Sequence, residues 1–150
     1  NGSSRSLREE RRSAPLSQTL GAMDSFEALE GREFDWFARD SRGAVGLFAT
    51  GGWGPVPEQV ETAAKSHNAT GDLIPVSGWG SPAVWESYAK AGIYAYDWNE
   101  RTGAYHRVAV PAAPLLQALA TTVTSMQLPT FVGEFAAALE VALEDLQHGA

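Results

Sequence analysis

The sequence predicts an α+β fold, with one four-stranded antiparallel sheet from two hairpins and about four helices packed mainly on one face. Three observations predict it. Two pairs of strand-like segments flank the turn sequences "DSRG" (40–43) and "NERTG" (99–103). Helix-like segments, with apolar residues three and four apart, lie between and after those pairs. The order is therefore hairpin, helix, helix, hairpin, helix, helix, and antiparallel strands with segregated helices point to α+β.

Residues 1–22 are rich in Ser and Arg and are expected to be an N-terminal extension or a remnant of expression, with Met23 the natural start. Within them "SLRE", Ser6 to Glu9, fits a capping box opening a short helix that Pro15 would stop. Residues 23–150 are expected to form a single α+β domain that begins near Ser25. "EFDWFARD" (33–40) alternates Phe34, Trp36 and Ala38 against Asp35, Phe37 and Arg39, which reads as a strand. Gly43 supplies positive φ for the turn into a second strand, "AVGLFAT" (44–50).

"PEQVETAAKSH" (57–67) and "PAVWESYAKAG" (82–92) open with proline at the first helical position, where its missing N–H costs nothing. Ser81 stands where an N-cap belongs. Glu61 with Lys65, and Glu86 with Lys90, then form i,i+4 pairs on one helical face. "IYAYDW" (93–98) and "AYHRVAV" (104–110) make the second hairpin, with Tyr94, Tyr96 and Trp98 on one face for cross-strand packing. "PLLQALATTVTSMQ" (114–127) carries the stripe Leu116, Leu119, Ala120 and Val123. "EFAAALEVALEDLQ" (134–147) carries Phe135, Leu139, Leu143 and Leu146, with Glu140 and Glu144 toward water and Gly149 as C-cap.

The chain has 150 residues, 44% hydrophobic and 19% charged, which suits one domain with a real core. There is no cysteine, so disulfides, thiolate metal sites and cysteine nucleophiles are excluded, as fits a reducing compartment. Apolar runs are too short to span a bilayer and no signal-like core is seen at the start, so a cytoplasmic location is expected. Net charge is −7; residues 1–22 contribute +2 and the remainder −9, with 7 basic and 16 acidic residues. That balance repels nucleic acid and anionic membranes and suits a basic protein partner, although mild acidity also serves solubility alone.

The most distinctive local feature is an echo: "GGWGPVPEQVETAAK" (51–65) and "SGWGSPAVWESYAK" (77–90). Neither loop ends in Gly-Lys-Ser/Thr, and Pro55 and Pro57 remove amides that a phosphate cradle needs. The echo covers a loop and a helix start, which is less than a repeat unit. The glycines read as fold punctuation, with each tryptophan either a core plug or a binding anchor. Trp53, followed by prolines and a polar turn, is expected to be the exposed one; Trp79, close to Trp85, is expected in the core.

His67, His106 and His148 are too scattered for a paired metal site, and His106 reads as a packed, hydrogen-bonded strand residue. No nucleophile elbow is present. No catalytic residue, metal ligand or cofactor is assigned.

The pattern of Trp36, Ala38, Asp40, Gly43, Phe48, Gly52, Gly54, Pro55 and Pro57 in "FDWFARDSRGAVGLFATGGWGPVP" (34–57) resembles small bacterial proteins, several of them immunity proteins of polymorphic toxin systems. The resemblance implies an acidic cytosolic α+β domain that binds a cognate toxin and blocks it, and it carries no catalytic residues. On this expectation the chain is a cytoplasmic inhibitor that occludes a basic toxin's active site. Trp53, Trp79, Asp72, Asp97 and Glu100, from loops and strand ends, are the candidate partner-binding residues. The alternative expectation is a small enzyme or small-molecule-binding domain with a pocket near the Gly-Trp-Gly loops.

Overall fold

The computed structural model describes residues 33–147. The expected helix at Ser6–Glu9, the domain start near Ser25, His148 and the Gly149 cap all lie outside them.

Both expected hairpins form. β1 (Asp35–Arg39) pairs antiparallel with β2 (Val45–Ala49), Asp35 opposite Ala49 and Arg39 opposite Val45. The turn is held by Asp40, whose Oδ1 accepts from the amides of Arg42 and Ala44 at 2.9 Å each, and Gly43 takes φ 84°. β3 (Tyr94–Asn99) pairs antiparallel with β4 (Ala104–Ala109).

The sheet itself differs from the expectation. It is a curled, half-barrel-like mixed sheet of seven strands rather than four antiparallel ones, in the order β6-β4-β3-β2-β1-β5-β7. The two hairpins join through a parallel pairing of β2 with β3, Gly46 opposite Tyr94 and Ala49 opposite Asp97. A parallel neighbour needs a long crossover to carry the chain back to the starting end. Here the crossover is α1 (Glu58–Glu61), α2 (Ala64–Gly71) and α3 (Ala83–Lys90).

The segment expected as helix 57–67 is two short helices. Ala63, at φ −117° and ψ 27°, breaks the run, and the Thr62 hydroxyl donates to the Gln59 carbonyl at 3.0 Å. Glu61 and Lys65 therefore belong to different helices. The second helix forms as expected, with Pro82 already helical at φ −59°, ψ −17° and the Ser81 hydroxyl accepting from the Ala83 amide at 3.3 Å. α4 (Gln117–Thr124) also forms, burying Leu119 and Val123 of the expected stripe.

The largest departure is at 134–147, which is not a helix. It contains β6 (Glu140–Val141), a 3-10 turn (Leu143–Asp145) and β7 (Leu146–Gln147), while β5 (Thr130–Phe131) precedes it. Existing groups capture its backbone. β4 pairs Tyr105 with Val141 and His106 with Glu140; β5 pairs Phe131 with Leu146. Asp40 Oδ2 accepts from the Phe135 amide at 2.7 Å, the Arg107 guanidinium donates to the Phe135 and Ala136 carbonyls at 2.7 and 3.0 Å, and the Tyr96 hydroxyl donates to the Ala138 carbonyl at 2.7 Å. Tertiary pairing thus overrides a strong local helix propensity. Phe135 of the expected stripe is fully buried, but Leu139 is 68% exposed.

Both faces of the sheet are covered. One carries Phe34, Trp36, Phe48, Tyr96 and Tyr105 under the C-terminal segment and the chain from Val56 to Ala64. The other carries Phe37, Leu47, Ala49 and Ala95 under α3, α4 and Ile74. Trp36, Phe48 and Tyr96 stack in series, at 4.5 and 5.0 Å between ring centroids. Among the described residues the outer edge of β1 has no strand partner at Phe37, and His67 of α2 takes that place, its Nδ1 accepting the Phe37 amide proton at 3.0 Å. That bond needs the neutral ring, and burial pushes its pKa down to about 4.

Candidate binding surface

Because β2 and β3 are parallel, their carboxyl ends open toward the same end of the sheet. The loop Thr50–Gly54 follows β2, and the Asn99–Gly103 turn follows β3. The first loop is pinned through Thr50. Its hydroxyl accepts from the amides of Phe34 and Gly52 at 3.0 and 3.2 Å, and its carbonyl accepts from those of Trp53 and Gly54 at 3.2 and 2.9 Å. Gly51 and Gly52 take φ 64° and 96°, a left-handed conformation that glycine adopts at little cost and other residues do not. Gly54 is buried so closely that a Cβ there would meet the Tyr105 hydroxyl at 2.6 Å and Trp98 at 3.0 Å. Tyr105 donates its hydroxyl to the Pro55 carbonyl at 2.8 Å and accepts from the Trp36 indole at 3.2 Å. Burial raises its pKa well above the ordinary value, so it remains a donor.

The loop backbone is thus pinned at Thr50 and Gly54, while the Trp53 indole is 61% exposed. Trp79, expected in the core, is half-buried against the helix-covered face. Its glycines, Gly78 and Gly80, also take positive φ, 75° and 83°, so both loops are turns that other residues strain to make.

Of the five candidate residues, the structure brings three to one end. Gly54 packs against Trp98, Asp97 precedes it on β3, and Glu100 lies in the exposed turn beyond, beside Arg101. Asp97 is half-buried and lies on the helix-covered face, whereas Glu100 is exposed. Asp72 caps the C-terminus of α2 and is exposed, apart from this group. Near the first loop, α1 adds Glu58 and Glu61; burial and then the Glu58 charge raise the pKa of Glu61. Sequence reasoning missed Thr50, Trp98 and Tyr105, which hold the loop. Trp98 and Tyr105 were legible as strand residues, but nothing local shows that the loop docks on them.

A cleft of about 370 Å³ lies beside the second loop, between Pro75–Ser77, Ser87 and Lys90 of α3, and Leu116. Ser87 closes part of it, its hydroxyl accepting the Ser77 amide at 3.0 Å. His106 is half-buried on β4 and meets the Glu140 carboxylate at 3.0 Å and the Thr102 hydroxyl at 2.9 Å. Among the described residues no three His, Cys, Asp or Glu side chains come together as a metal site, and no helix is long and apolar enough to cross a membrane. Comparison with protein-family models, curated proteins and solved structures finds no significant match.

Proposed function

We propose that this chain is a protein-binding inhibitor of the immunity type, and that the Trp53 end of the sheet is the surface that covers a basic partner's active site. The observation that carries the reading is the contrast within the first loop: a backbone pinned by Thr50 and Tyr105 presents an indole that is 61% exposed. A large aromatic on a preorganised loop loses little conformational entropy on binding, which is the usual chemistry of an interface anchor. Glu58 and Glu61 follow the loop on α1 and Glu100 stands in the turn after β3, and the net charge of −7 steers the chain toward a basic surface.

Growth of cells expressing the protein encoded next to this chain's gene tests the reading. The expected result is toxicity that co-expression of this chain abolishes. A harmless neighbour, or toxicity that persists with the chain abundantly expressed, overturns it. The second reading, a small-molecule-binding or catalytic domain, draws on the cleft lined by Pro75, Val76 and Ser77 where the second loop begins. It predicts instead that filling the cleft with Ser77→Phe abolishes activity while Trp53→Ala leaves it unchanged.

A further inference from the structure

A second cleft, of about 280 Å³, lies at the opposite end of the sheet, where the β1–β2 turn meets α4. Its walls are the apolar side chains of Val45, Leu115, Ala120 and Val123, with Thr124 at the rim and Arg39 as the cationic group. Arg39 and Val45 are register partners on the helix-covered face, so the sheet fixes where the arginine stands. Its Nη2 donates to the Val123 carbonyl in the last turn of α4 at 2.8 Å. That bond suits a cation at a helix C-terminus, and it uses one of five guanidinium donors. Among the described residues the Arg39 side chain makes no other hydrogen bond and no ion pair. At the mouth, a Cβ placed on Gly43 would meet nothing within 4 Å.

We propose that this cleft binds a small monocarboxylate with a short branched aliphatic body, the carboxylate on the free edge of the Arg39 guanidinium and the aliphatic part against Val45, Leu115 and Ala120. A planar fork with spare parallel donors matches two carboxylate oxygens. One cation among apolar walls suits a monoanion; a phosphate dianion needs further donors that the cleft does not offer. At roughly 30 Å³ per water, the space equals about nine waters, which limits the ligand to a small molecule. This site is independent of the Trp53 surface.

The test is an NMR titration of the ¹⁵N-labelled chain with 3-methylbutanoate, its neutral analogue 3-methylbutanamide, and acetate. The expected result is saturable shifts centred on residues 39–45 and 115–124 with 3-methylbutanoate, and at least about tenfold weaker binding of both analogues, as follows from losing either a charge-assisted hydrogen bond or the apolar contact. Arg39→Lys keeps a cation at the helix terminus but removes the fork, and Ala120→Leu fills the cleft while leaving Arg39 in place. Each should weaken binding at least about tenfold with an unchanged melting temperature. The proposal is overturned by an absence of saturable shifts, by shifts centred on Lys90, by equal binding of the amide, or by unchanged affinity in Ala120→Leu.

Discussion

The two faces of the sheet are covered in different ways. On one face α3 and α4 lay amphipathic stripes over Leu47, Ala49, Ile93 and Ala95. On the other, a segment with little regular structure lies over stacked aromatic rings and is held by polar staples from Asp40, Arg107 and Tyr96. A helix can satisfy its own backbone and needs only an apolar stripe to dock. An irregular cover must borrow donors and acceptors from the sheet it covers, so its stability is concentrated in a few residues. The first Gly-Trp-Gly loop packs on the aromatic face through Gly54 and leaves Trp53 exposed, whereas Trp79 of the second lies half-buried against the helical face.

The sharpest way to break this comparison is to remove the main anchor of the irregular cover. Phe135 is fully buried and contacts Phe48, Tyr94, Tyr96 and Phe131, with ring centroids 5.4–5.9 Å away. Phe135→Ala should cost about 3–5 kcal/mol in chemical denaturation. A loss under about 1 kcal/mol would mean that the segment is not a true cover.

The same contrast decides what was legible in the sequence. The hairpins were, because period-two alternation in residues 34–39 and the Asp40–Gly43 turn are local signals. α3 and α4 were too, because Pro82, Ser81 and the Leu119–Val123 stripe act within one element. The parallel β2–β3 pairing was not, since it depends on where a crossover of three helices delivers the chain. Residues 134–147 were misread because Phe135, Leu143 and Leu146 are spaced as in a helix, while the partners that claim their backbone, Asp40 and Arg107, are distant in sequence. At the candidate surface the exposure of Trp53 followed from its neighbours, but the docking of Gly54 on Trp98 and Tyr105 did not.

Next in size is a pH effect at the edge between the two faces. His67 has a folded pKa of about 4 against 6.5 when unfolded, so between those values the unfolded chain binds the extra proton. Its contribution to stability is therefore complete above pH 6.5 and is lost as pH falls toward 4, at roughly 1.4 kcal/mol per pH unit. His67→Gln should flatten that part of the stability–pH curve. A variant curve parallel to the wild type throughout would contradict the neutral, amide-accepting ring.

Gly54→Ala sharpens the comparison at the first loop. Its methyl group would meet the Tyr105 hydroxyl at 2.6 Å and Trp98 at 3.0 Å. A loss of about 1–3 kcal/mol is expected from overpacking. The smallest effect is on the tryptophans themselves. Trp53→Ala should change stability by under about 0.5 kcal/mol, and the half-buried Trp79→Ala by about 1–2 kcal/mol. Equal losses would erase the distinction between the loops.

The proposed function requires Trp53 to be an anchor for a partner and not a stray surface aromatic. The most direct measurement is the affinity of the purified neighbour-encoded protein for wild-type chain, Trp53→Ala and Trp79→Ala by calorimetry. The account predicts a loss of at least about 2 kcal/mol, roughly thirtyfold, for Trp53→Ala and little change for Trp79→Ala. Wild-type affinity in a folded Trp53→Ala variant would contradict it.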